Sequence, residues 1–223
     1  PGEIAARFRA GKPLDHIPVV DFHAHLAASS EYYYIPRNTP AEVARYLDRY
    51  GVSRMVAFSI AVSSDAAAGN RVIYEAAAAF PKRFHPLVML HGAFPQDWLA
   101  ILEEGRQRGA IGIKLISQYQ GVSEAAIDWS PAFDYARDLG WVVLHHDWGS
   151  TERLTQWAQR FQTLTFVIGH CFDPAQFAPA VERCENVYQC TCAAFVSPRA
   201  TTAAIVKRLP PEKILFGSDA LDL

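Results

Sequence analysis

Cysteine is scarce in this chain, with four among 223 residues. Cys171, Cys184, Cys190 and Cys192 lie in or beside apolar segments, away from any framework spacing. Cys190-Thr191-Cys192 falls one residue short of Cys-x-x-Cys, so redox and zinc-ribbon roles are not expected. Reduced thiols of this kind suit a cytoplasmic location. An excess of one charge is also lacking: acids and bases are interspersed and sum to −2, which leaves no basic stripe for nucleic acid. No apolar run approaches the ~20 residues of a membrane span, and no signal peptide precedes the first run. The glycine pattern Gly-x-Gly-x-x-Gly follows none of the apolar runs, which argues against a dinucleotide fold. Self-association stays open.

Half of the residues are hydrophobic, enough for one large core, so a single domain over 1–223 is expected. Apolar runs stand at 17–22, 54–60, 84–90, 110–116, 141–145, 164–169, 186–190 and 213–217. Helix-start chemistry lies between them. Thr39-Pro40-Ala41-Glu42 combines an N-cap, an early proline and a capping-box glutamate. Ser130-Pro131, Asp173-Pro174 and Ser197-Pro198 repeat the cap-plus-proline signal. Val43, Ala44, Leu47 and Tyr50 share one helix face, as do Leu154, Trp157 and Phe161. Eight strands alternating with helices predict an α/β fold, the (β/α)8 TIM barrel. The last run ends close to Leu223, so an eighth helix is missing from the pattern. Segment 2–10 completes the barrel, a partner covers the flank, or the chain is a truncated product.

Chemistry in such a barrel collects at the C-terminal ends of strands. Six of the eight histidines fall there: His23, His25, His91, His145, His146 and His170. In Asp21-Phe22-His23-Ala24-His25, residues two apart on a strand face the same side, so both imidazoles can converge on one ion. Lys114, Cys190, Cys192 and Asp219 occupy other strand ends. His145 and His146 are strand neighbours and face opposite ways, so either one could be the inward residue. Asp21 reads as a buttress accepting an imidazole or backbone donor, or as a turn residue.

In this ordered set the chain resembles the amidohydrolase superfamily, in its amidohydrolase-2 branch of metal-dependent hydrolases and decarboxylases. The residues that carry the likeness are Asp21-Phe22-His23-Ala24-His25, Gly112-Ile113-Lys114, His146-Asp147-Trp148-Gly149, Ile168-Gly169-His170 and Ile214-Leu215-Phe216-Gly217-Ser218-Asp219. The resemblance implies one divalent metal, zinc before manganese, held by His23, His25, the fifth-strand histidine and Asp219. Family spacing favours His146 there and leaves His145 to the helical layer. It further implies His170 beside the water or substrate and an unmodified Lys114 rather than a carboxylated lysine bridging two metals. Asp219 and His170 become the expected catalytic pair. Lys114, Arg37, Trp148 and Tyr34 are the expected substrate contacts, with Phe195 a weaker one. The tyrosines and arginine of Tyr32-Tyr33-Tyr34-Ile35-Pro36-Arg37 fit an aromatic or carboxylated substrate, and equally a lid or an oligomer contact. The implied reaction is hydrolysis of a small lactone, ester or amide by metal-activated water. Its alternatives are non-oxidative decarboxylation of an aromatic acid and an inactive barrel that serves as an interaction module.

Overall fold

Every apolar run of the sequence becomes a strand, because in an all-parallel sheet both faces of each strand are covered. The structure, a computed structural model, describes residues 2–26, 38–59, 65–170, 173–192 and 198–220. A short helix α1 (Glu3–Arg9) leads into β1 (Val20–Leu26), α2 (Pro40–Tyr50), β2 (Arg54–Ser59), α3 (Ala66–Ala79) and β3 (Phe84–Met89). Then follow α4 (Trp98–Gln107), β4 (Gly112–Leu115), α5 (Ser130–Ala136), β5 (Val142–His145), α6 (Thr151–Arg160) and β6 (Thr165–Ile168). The chain closes with α7 (Pro174–Arg183), β7 (Val187–Cys190), α8 (Pro198–Arg208) and β8 (Ile214–Leu215).

The strands pair in sequence order, all parallel. Three backbone bonds join the first strand to the end of the last strand and the residues after it: the Phe22 N–H donates to the Phe216 carbonyl and the Asp219 N–H to the His23 carbonyl, both at 2.8 Å, and the His25 N–H to the Ala220 carbonyl at 3.3 Å. The predicted (β/α)8 barrel is therefore the fold. Inside it lie Val56, Phe58, Leu87, Met89, Leu144, Val167 and Cys190. Alternate residues of the same strands, such as Met55, Ala57, Val88, Ile113, Val143 and Phe166, pack outward under the helices.

Local chemistry sets the helix starts. Thr39 accepts the Glu42 N–H while Glu42 reaches back to the Thr39 N–H, a complete capping box. Asp173 caps α7 through the Ala175 N–H. At α5 the cap expected of Ser130 is displaced, since Ser130 is already helical and donates its N–H and Oγ to Asp128. Ser197 lies outside the described residues. Tyr50, expected on the buried face of α2, ends that helix 49% exposed.

Segment 2–10 does not complete the helical layer: it forms α1, which buries none of its residues. Among the described residues no helix follows β8, and a recess of about 190 Å³ lies beside α2, lined by Tyr46, Tyr50, Phe216 and Ala220. Among the described residues no helix is long and apolar enough to cross a membrane.

One irregularity of β1 positions the site. Asp21 pairs with Met55 and Ala24 with Ala57, so Phe22 and His23 together oppose the single residue Val56. This is a β-bulge, which resets the in–out alternation of the strand. Phe22 packs with the barrel interior and Ala24 with the outer layer.

Candidate metal centre

The bulge carries His23 into the barrel, where it is fully buried, and His25 follows it. Their ring centroids stand 6.1 Å apart. Two glycines make room for His23. A Cβ on Gly217 would lie 2.7 Å from His23 Cβ and 2.3 Å from Cys190 Sγ, and one on Gly169 would lie 2.5 Å from the His145 carbonyl oxygen. Asp219 comes to the same point from β8. It is the one non-glycine residue among those described with positive φ, at 55°, in the left-handed region that aspartate tolerates better than most. Its buried Oδ1 is 3.3 Å from His23 Nε2 and 3.5 Å from His25 Nε2, and it has no hydrogen-bond partner.

Tautomers follow from the neighbours. His25 Nδ1 lies 3.3 Å from the Ser59 carbonyl, which can only accept, so Nδ1 carries a proton, and Nε2 faces Asp219. Lys114 Nζ is 3.3 Å from His23 Nε2 and 4.3 Å from the Phe58 ring centroid. An ammonium has only donors, so His23 Nε2 is an acceptor. His23 Nε2 and Asp219 Oδ1 are thus two acceptors that face each other.

Burial, followed by Lys114 and the neighbouring imidazoles, holds His23 well below the usual histidine range. Burial, then His170 and Lys114, does the same to His146. Burial brings His170 down to about 3, with Asp219 opposing. Asp219 is pushed up by burial, but His25, His170 and Lys114 outweigh this and bring it to about 2. Burial lowers Lys114 to about 8, against the pull of Asp219. Near neutrality His23, His146 and His170 are therefore neutral, Asp219 is a carboxylate and Lys114 is largely protonated.

The remaining predicted residues divide sharply. His146 turns inward, its ring centroid 4.1 Å from that of His170. His145 turns outward, its Nε2 2.7 Å from Glu124 Oε2. Lys114 is fully buried against His23. Trp148 is corrected: it packs against His145 and Phe166 and donates to the Val167 carbonyl at 3.1 Å, fully buried in the outer layer and facing no substrate space. Tyr34, Arg37 and Phe195 lie outside the described residues. Asp21 accepts from the His23 N–H and from the Ser218 N–H and hydroxyl, tying β1 to the chain after β8; no imidazole donates to it. His91 is a loop bonder, its Nδ1 accepting the Ala93 N–H.

Two residues went unassigned in the sequence. Cys192 Sγ sits 3.2 Å from His170 Nδ1, and ligand atoms of His23, His170, Cys192 and Asp219 all fall within 4.8 Å of one another. Its signal was the alternation after β7, which points Cys190 and Cys192 the same way. Glu124 lies in a 3-10 turn after β4 and carried no periodic signal.

These donors fit a divalent cation: imidazole lone pairs and a carboxylate converge in a buried cup, and a single Asp219 oxygen meets two of them. A model of the amidohydrolase family matches residues 20–221. None of the curated proteins compared matches the chain. Among solved structures, 4-oxalomesaconate hydratase from Rhodopseudomonas palustris superposes with a TM-score of 0.68 at 17% identity, over 91% of this chain and 82% of that one. A probable 2-pyrone-4,6-dicarboxylic acid hydrolase from Acinetobacter baumannii gives 0.64 at 18% identity, over 91% and 84%. A 2,6-dihydroxybenzoate decarboxylase gives 0.65 at 13% identity, over 91% and 88%. At such identities the likeness to these three is one of fold.

Proposed function

The chain belongs to the amidohydrolase family, and from that premise we propose that it is a metal-dependent hydrolase of a small lactone, ester or amide. The carrying observation is the meeting of His23 Nε2 and Asp219 Oδ1 at 3.3 Å, two acceptors facing each other in a buried site. His23 and Asp219 hold the ion in this reading, with His25 and His146 as the further imidazoles expected of the family. A divalent metal there supplies Lewis acidity, lowering the pKa of water from 15.7 towards about 7.

The chain's own groups do the rest. Asp219 is ionised across the neutral range and accepts a proton through its carboxylate. His170, neutral and 3% exposed, orients the attacking water or donates to a developing oxyanion. Lys114 keeps a positive charge beneath the site. The family fold around this cup also includes a pyrone dicarboxylate hydrolase, which makes an acidic lactone the first substrate class to try.

The test is elemental analysis of chelator-free protein beside a His23→Ala/His25→Ala double variant, followed by assays on lactones, esters and hydroxybenzoates. About one metal equivalent, lost in the double variant, together with lactone or ester opening, is expected. Carbon dioxide release from a hydroxybenzoate would replace hydrolysis by decarboxylation at the same site. No metal after zinc and manganese have been offered would overturn the enzymatic reading.

A further inference from the structure

We infer that Cys192 is itself a ligand of the metal, as a thiolate, so that the centre has mixed nitrogen, oxygen and sulfur donors and prefers zinc to a harder ion. The inference rests on the metal-centre reading above and changes its donor set. His23 and Asp219 stay; Cys192 and His170 form, with them, the one group of four donors among the described residues whose atoms all lie within 4.8 Å of one another. His170 then binds the ion in place of the water-orienting role given above, and a reacting water would take a fifth position.

The spacing suits one tetrahedral ion. Zinc–nitrogen and zinc–oxygen bonds near 2.0–2.1 Å and a zinc–sulfur bond near 2.3 Å place neighbouring donors about 3.3–3.6 Å apart. Two edges already stand close to that, at 3.3 Å between His23 Nε2 and Asp219 Oδ1 and 3.2 Å between His170 Nδ1 and Cys192 Sγ. All four residues are 5% exposed or less. Charge agrees as well. One carboxylate and one thiolate neutralise a 2+ ion, whereas three imidazoles and one carboxylate would leave a net positive centre beside the Lys114 ammonium. The thiol proton leaves to solvent as the metal–sulfur bond forms, so binding releases one proton. Thiolate donors select borderline-soft ions over magnesium or manganese.

X-ray absorption on the zinc-loaded wild-type chain tests this without a substitution. One sulfur scatterer near 2.3 Å is expected, and a shell of nitrogen and oxygen alone near 2.0–2.1 Å overturns the thiolate while leaving the metal centre standing. Cobalt loading gives the second arm. A sulfur-to-cobalt charge-transfer band should appear in the wild type, persist in Cys184→Ser and vanish in Cys192→Ser. A cobalt spectrum without that band in the wild type again removes Cys192. Failure to take up either metal removes the parent reading and this one together.

Discussion

Two buried polar clusters stand back to back across β5, and they obey opposite rules. Outside the barrel, Glu124 receives four donors: Ser117 Oγ and His145 Nε2 on one oxygen, Trp129 Nε1 and Arg153 Nε on the other, at 2.7–3.1 Å. Every acceptor site there meets a proton, and Asp147 closes the set by donating its N–H to His145 Nδ1. Inside the barrel, His23 Nε2 and Asp219 Oδ1 turn lone pairs on each other. A matched cluster stabilises the fold, since a buried polar group with its partners costs little and without them costs much. Two facing acceptors are stabilised by a cation to share, beyond what the Lys114 ammonium at 3.3 Å from His23 supplies. The contrast divides two adjacent histidines: His145 belongs to the outer cluster, and His146 faces His170 inside the barrel.

Four substitutions would break or sharpen that contrast. Asp219→Asn has the largest expected effect. It keeps the left-handed backbone tolerable but removes the charge, and turnover should fall by about 10²–10⁴-fold with the circular dichroism spectrum unchanged. Retained turnover would take Asp219 out of the proton path.

Next comes Glu124→Ala, which leaves Arg153 and three other donors facing a void. A loss of about 3–5 kcal/mol is expected in urea unfolding. Burial opposes the ionised form of Glu124, but bonds from His145, Ser117 and Trp129 outweigh it and hold its carboxyl below the usual glutamate value. Its stabilisation is therefore full above the unfolded value of 4.5 and declines as pH falls through the lower folded value. Unfolding midpoints of wild type and variant should thus converge in acid. A gap independent of pH would show that the charge plays no part.

Gly217→Ala tests the inner cluster through shape alone. The added methyl group meets Cys190 and His23, so a cost of about 1–3 kcal/mol should accompany weaker zinc binding by competition with a chelating dye. Unaltered zinc affinity would show that His23 need not hold its position. The smallest effect is expected of Trp148→Phe. It removes the bond to the Val167 carbonyl and should cost about 0.5–1.5 kcal/mol while leaving KM unchanged. A raised KM would return Trp148 to the substrate side.

The barrel was legible because buried parallel strands are written as uninterrupted apolar runs, and all eight runs were read. Their edges were less so. The first run, 17–22, begins in residues that prove half-exposed, Ile17 and Val20, and the strand continues through His23 and His25, which no hydrophobic pattern would extend into. The histidines were legible as a group through their places at strand ends. Trp148 was misplaced because adjacency in sequence to His146 says nothing once the strand has ended and the chain turns. Cys192 was passed over since a lone cysteine reads as a small apolar residue until tertiary contacts show what it faces. Glu124 was invisible for a similar reason: its four partners come from three separate segments.

The extra residue in β1 has a consequence for how this chain can vary. A strand is a two-letter register of inside and outside: counted from Asp21, which pairs with the outward Met55, an unbroken alternation would turn both His23 and His25 outward. Doubling Phe22 and His23 against Val56 turns both histidines inward instead. The faces of this strand are set by the place of the bulge as much as by the order of its residues, and losing Phe22 would straighten the strand while leaving His23, Ala24 and His25 opposite Val56, Ala57 and Phe58.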